Sequence, residues 1–213
     1  MNIGILGAAT VGQALARHLA AAGHHVTVAN SRGPESLRDL AAQLGSRVTA
    51  GTVAEALDSP VVILGVPWTK VRDVLTPEID WDRRVLVDAT NIFTRYAPDF
   101  EVDDLGAESG SEIVARLAPS ARVVKAFNTL PIERMFAPPP TDGLQRILFV
   151  AGDDADATAI VEQLIADMHL APVSVGALGS GGRLMQLGGS LSGLELFGAG
   201  VARDEGEQRR PEG

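Results

Sequence analysis

The residues best suited to chemistry stand near the start of the chain, where Gly7-Ala8-Ala9-Thr10-Val11-Gly12 separates an apolar run, Asn2 to Leu6, from helical spacing at Val11, Leu15 and Leu19. Gly7 permits a tight turn, and Gly12 lets a helix lie close on a strand. The N–H groups between them, at a helix N-terminus, make a cradle for a pyrophosphate. Ala9 stands where the G-x-G-x-x-G pattern has its middle glycine, and its methyl narrows the approach by about one carbon. Gly7, Ala9, Thr10, Val11 and Gly12 are therefore the expected cradle residues. A second apolar run, His24 to Ala29, ends in Asn30-Ser31-Arg32. Folds that take NAD usually carry Asp or Glu at this place, to accept from the ribose 2′-hydroxyl. A hydroxyl and a planar guanidinium suit a 2′-phosphate instead, so Asn30, Ser31 and Arg32 point to NADP(H). Arg38, further on, reads as a solvated surface charge.

Three further segments follow strand-like runs: Gly65-Val66-Pro67-Trp68, Asp88-Ala89-Thr90-Asn91 and Phe127-Asn128-Thr129-Leu130-Pro131. Ligands of a parallel sheet lie beyond the carboxyl ends of its strands, so these segments face the same crevice. Val66, Pro67, Ala89 and Asn91 are expected at the cofactor. Trp68, Asn128, Thr129, Leu130 and Met185 are expected at a second substrate. Amides, hydroxyls and apolar groups dominate this lining, which suits hydride transfer between a nicotinamide and another flat ring, a reaction that draws on positioning rather than on a nucleophile. Two residues are candidates for a catalytic part. Asn128 either holds a ligand or caps a helix beginning near Pro131. Lys125 either supplies a proton, its pKa lowered by burial, or pairs with an acid such as Asp88. His18, His24, His25 and His169 lack the clustered spacing of a metal site, and none follows a strand at the ligand end, so no metal is expected.

The elements that must position these residues alternate along the chain. Strands are predicted at Asn2 to Leu6, His24 to Ala29, Arg47 to Ala50, Val61 to Gly65, Arg84 to Asp88 and Arg122 to Phe127. Helices fall between them at Val11 to Ala22, Glu35 to Leu44, Val53 to Leu57, Pro67 to Leu75 and Ser111 to Leu117, while Ile92 to Gly110 reads as mostly loop. Beyond Pro138-Pro139-Pro140, a strand at Ile147 to Val150, a helix at Ala155 to Met168 and a strand at Ala171 to Val175 extend the sheet. The fold class is α/β, a Rossmann-type, doubly wound, mostly parallel sheet with a short C-terminal helical extension. Residues 1–137 form the NADP-binding domain. Residues 138–202 extend the sheet and close the second-substrate cleft. The charged tail 203–213 is too poor in apolar residues to order itself.

Composition sets the outer limits. The 213 residues carry a net charge of −9 and no cysteine, which opposes nucleic-acid binding and rules out disulfide and thiolate chemistry. No apolar run approaches the roughly 20 residues of a membrane helix, so a cytoplasmic protein with a small-molecule or deazaflavin partner, and no membrane partner, is expected. A homodimer is one candidate assembly for the glycine-rich C-terminal stretch.

With Gly7 to Gly12, Asn30-Ser31-Arg32, Val66-Pro67-Trp68, Asp88-Ala89-Thr90-Asn91 and Val124-Lys125-Ala126-Phe127-Asn128-Thr129-Leu130-Pro131 in this order, the chain resembles the F420-dependent NADP oxidoreductase family. The resemblance implies that NADPH lies across the glycine turn, with Thr10, Ser31 and Arg32 binding it. It further implies that coenzyme F420, a deazaflavin, stacks on the nicotinamide beside Val66, Pro67, Asn128 and Leu130, under the C-terminal segment. Two other readings stand beside it: an NADPH-dependent reductase of a small imine or alkene, and a non-catalytic NADPH-sensing module.

Overall fold

A computed structural model describes residues 1–96 and 98–199. Strands β1 (Asn2–Leu6), β2 (His25–Ala29), β3 (Val48–Ala50), β4 (Val61–Leu64), β5 (Val85–Asp88) and β8 (Arg122–Lys125) pair in parallel in the order β3-β2-β1-β4-β5-β8. This is the doubly wound arrangement expected. Every residue of β4 and β5 is buried, as the apolar runs Val61 to Leu64 and Val85 to Val87 require of strands covered on both faces. Strand β9 (Leu144–Gly152) runs antiparallel to β8, with Val124 opposite Gly152, and β10 (Ala171–Ser174) runs parallel to β9.

Two apolar layers sandwich the sheet. One holds Leu15 and Leu19 of α1 (Thr10–Ala21), Leu44 of α2 (Arg38–Leu44), Met135 of α6 (Ile132–Met135) and Val161 of α7 (Ala155–Asp167). The other holds Ala56 of α3 (Val53–Leu57), Val71 of α4 (Val71–Val74) and Val114 of α5 (Gly110–Leu117), with Trp68 and Trp81. Side chains fix where several of these helices begin. Thr52 with Glu55 caps α3 and Ser109 with Glu112 caps α5, each as a reciprocal capping box. Asp154 caps α7 by accepting from the Ala157 N–H.

The sequence-based expectation needs three corrections. Ile92 to Gly110, read as loop, contains a small antiparallel hairpin, β6 (Phe93–Arg95) with β7 (Glu101–Val102), and Arg95 pairs with Glu101 across it at 2.8 Å. The sixth parallel strand stops at Lys125, because Phe127 takes φ 62°, a left-handed conformation that no strand continues through. The C-terminal extension is only briefly helical. After α8 (Gly181–Met185) the chain runs on irregularly to β11 (Phe197–Ala199), which pairs antiparallel with β9, since the glycines of this stretch give a helix little to hold it. The stretch from Arg203 to Gly213 lies outside the described residues. No helix among the described residues is long and apolar enough to cross a membrane.

Candidate active site

The glycine turn is packed against its neighbours so closely that two side chains are excluded. A Cβ on Gly12 would lie 1.9 Å from the Gly7 carbonyl oxygen, and one on Gly7, at φ 113°, would lie 2.3 Å from that of Gly65. Backbone bonds close the same knot: Gly7 N–H donates to Ala29 O (2.9 Å) and Gly65 N–H to Leu6 O (2.8 Å). Ala9 occupies the N-cap of α1 with no side-chain cap, and Ala9 and Thr10 are exposed. The first-turn amides of α1 are therefore left for a ligand. Gln13 steadies the turn, its Nε2 donating to Ala8 O at 2.9 Å. Val66 borders the turn, its Cγ1 standing 3.1 Å from where a Gly7 Cβ would be, and Pro67 beside it is exposed.

At the end of β2, Asn30 shapes a turn rather than facing outward. Its Oδ1 accepts from the Arg32 N–H (2.8 Å), and its amide group lies within hydrogen-bond distance of Ser36 Oγ. That turn leaves Ser31 and Arg32 exposed, and the Arg32 guanidinium makes no ion pair among the described residues. Arg38, by contrast, pairs with Glu35 at 2.5 Å, which agrees with its reading as a surface charge. A hydroxyl and an unpaired guanidinium one strand from the pyrophosphate cradle can hold a further phosphate.

Across the crevice the expected residues are turned toward one another. Asn91 Nδ2 donates to Asn128 O (2.9 Å), and Asn128 Nδ2 donates to Asn91 Oδ1 (3.2 Å) and to Met185 O (2.8 Å). Thr129 O accepts from the Gly193 N–H at 2.7 Å. The loops after β5 and β8 thus hold the C-terminal segment in place. Asn128 does not cap a helix, because Pro131 occupies the N-cap of α6. Its Oδ1 is buried and has no partner among the described residues. Trp68 is corrected: its ring is sealed in the core and its Nε1 donates to Asp103 Oδ2 at 2.7 Å, so it supports the wall from behind. Leu130 and Met185 are corrected likewise, Leu130 packing in the larger core and Met185 against Phe149 and Ala151. Ala89 and Thr129 are buried as well.

Lys125 takes the ion-pair alternative. It is 1 % exposed and Asp88 is 0 % exposed, with Nζ and Oδ2 3.1 Å apart and a further bond from Nζ to Thr90 O at 3.2 Å. Burial opposes ionisation of Asp88, but the Lys125 ammonium and the bonds from Ser111 Oγ (2.5 Å), Thr90 Oγ1 (2.7 Å) and Thr90 N–H (2.9 Å) together hold its carboxyl below the usual range. Sequence reasoning missed Ser109, Ser111 and Gln186. Ser109 Oγ donates to Leu178 O (3.0 Å) and Gln186 Oε1 accepts from the Gly110 N–H (2.8 Å), so the start of α5 is a third anchor of the C-terminal segment. The Ser109-x-x-Glu112 spacing was the available signal, since it marks a helix start. Among the described residues no group of three His, Asp or Glu could hold a metal.

Residues 2–92 match the family described as NADP oxidoreductase, coenzyme F420-dependent. Over that segment, under half of its length, the chain is similar to this family. The match supports NADP(H) as the cofactor, and the cradle between Gly7 and Gly12 with the exposed Ser31 and Arg32 fits it. The chain is similar to a hypothetical protein of Sinorhizobium meliloti, at 40% identity and a TM-score of 0.85, covering 93% of this chain and 96% of that one. It is also similar to a candidate F420-dependent NADP-reductase of Arthrobacter sp. FB24, at 25% identity and a TM-score of 0.68, covering 84% and 86%. Rat metalloreductase STEAP3 is 31% identical over 180 residues, 84% of this chain, and the chain spans only 34% of that relative's length. The family match ends where the β6–β7 hairpin begins.

Proposed function

We propose that this protein transfers a hydride between NADP(H) and a deazaflavin of the coenzyme F420 type. The closure of Lys125 onto Asp88 carries this reading. It withdraws the amine nearest the crevice from proton transfer and leaves a lining of amides, hydroxyls and apolar groups. Reduction of an imine or a carbonyl draws on a positioned proton donor. A conjugated ring system makes a smaller demand, because orientation and closeness account for most of the work.

NADPH, when bound, supplies the hydride. In this assignment Ser31 and Arg32 bind its 2′-phosphate, and the first-turn amides of α1 bind the pyrophosphate. Val66 and Pro67 provide the apolar border of the crevice. Asn128 offers the unpaired Oδ1 as acceptor for an N–H of a carboxamide or ring, and its amide nitrogen keeps the C-terminal segment against the sheet. The similarity to the Arthrobacter protein supports the same acceptor.

Mixing the purified protein with NADPH and oxidised coenzyme F420 tests the assignment through the loss of deazaflavin absorbance. Turnover is the expected result. Intact NADPH binding without any F420 reduction overturns it.

A further inference from the structure

The chain is poor in aromatic residues, with six Phe, two Trp and one Tyr, and three of these nine stand together on the β6–β7 hairpin. Phe93 packs against Tyr96 with ring centroids 5.2 Å apart and against Phe100 at 5.5 Å, both pairs tilted. Yet Phe100 is 63% exposed and Tyr96 is 49% exposed, while Trp68, Trp81, Phe127 and Phe149 are buried. Gathered on one hairpin rather than scattered singly, these rings form a small contiguous apolar patch.

The root of the hairpin lies at the ligand end of the sheet. Phe93 N–H donates to Asn91 O (2.8 Å) and Asp103 N–H to Ile92 O (2.9 Å), so the hairpin rises directly from the loop after β5. Asp103 also accepts from Trp68, which follows Val66 and Pro67 after β4. The two loops that border the crevice therefore hold the aromatic cluster between them. Its two exposed rings offer on the order of 250 Å², well short of the roughly 800 Å² per partner of a stable subunit interface. That area matches one flat molecule.

We infer that Phe93, Tyr96 and Phe100 form a stacking platform for the flat tricyclic ring of the second substrate. The inference rests on the reading of the crevice as the site of hydride transfer, and it names the surface that recognises the acceptor. Aromatic faces bind such a ring through offset or edge contacts and tolerate variation in its polar substituents. The platform lies beyond residue 92, so it is a feature of this chain outside the segment matched to the family.

The test measures binding of oxidised coenzyme F420, and separately of FMN, by calorimetry with saturating NADP+ present. The wild type is expected to bind at least one of the two rings. The double variant Tyr96→Ala with Phe100→Ala is expected to weaken that binding about tenfold, with NADP+ binding unchanged, and Phe100→Trp to retain it. Equal binding by the double variant, or binding of neither ring by the wild type, overturns the platform. So does a dimeric wild type that the double variant turns into monomers, since the patch is then a subunit contact. Ring binding without NADPH-dependent reduction of F420 sinks the proposed reaction and leaves the platform standing.

Discussion

Around the glycine turn the exposed side chains of Ser31 and Arg32 have no partner among the described residues, whereas past β5 and β8 the polar residues are bonded to one another. Ser31 and Arg32 are exposed and held out by a turn that Asn30 makes. Asn91, Asn128 and Met185 are tied in a chain of amide and carbonyl bonds, and Lys125 and Asp88 are sealed beneath them. The first region keeps its binding energy available for a charged ligand. The second spends its polar groups on holding three separate stretches of chain in register. A phosphate can be bound by a few exposed donors, but a ring must be held at a fixed distance from another ring, and that calls for a stiff wall.

The largest predicted effect strikes the stiff side. Asp88→Asn leaves the Lys125 ammonium buried without its counter-charge, which costs about 3–5 kcal/mol of stability, read from urea unfolding at neutral pH. Adding Lys125→Met to Asp88→Asn removes the stranded charge and recovers most of the loss. The acid limb carries the same information. The Asp88 carboxyl is held below its ordinary value, so its contribution is complete above the unfolded aspartate pKa of about 3.9 and is lost as pH falls through the lower folded value. The stability gap between wild type and Asp88→Asn should therefore shrink as pH falls below about 4. A gap that stays constant with pH contradicts the pair as the source.

A smaller effect is expected on the exposed side. Removing Arg32 deletes a charge-assisted contact and leaves no buried group stranded, so Arg32→Ala should leave the melting temperature in place. It should weaken NADPH by about 1.5–3 kcal/mol, roughly 10- to 150-fold, with NADH little changed. Titration with both nucleotides checks it. Equal losses for the two would mean that Arg32 grips something other than the 2′-phosphate.

The same contrast explains what could be read from the sequence. Gly7, Gly12, Ser31 and Arg32 work through local geometry, and each lies within a few residues of a strand end, so spacing was enough to place them. The alternation of strands and helices was legible for the same reason. Trp68, Leu130 and Met185 are apolar residues at or near the right address that turn inward, and only packing decides that. Asn128 was placed at the site, but its bond to Met185 joins residues 57 positions apart, a distance that no local pattern encodes. The hairpin was missed because β6 has three residues and β7 two, too few for alternation to show.

Ala9 offers the finest probe of the contrast, because it is the one departure from the glycine pattern on the exposed side. Its φ of −86° and ψ of −171° are open to any residue, so the backbone does not ask for glycine there. Its methyl is exposed at an N-cap that has no capping side chain. Glycine is a better N-cap than alanine by about 0.5–1 kcal/mol, and Ala9→Gly also clears one carbon from the cradle. The variant should unfold no more easily than wild type and bind NADPH about two- to threefold more tightly, a gain of about 0.5 kcal/mol. An increase of tenfold or more would mean that the methyl obstructs the cofactor. A clear loss of affinity would mean that the methyl packs on the cofactor, and that alanine at this position is a contact rather than a tolerated defect.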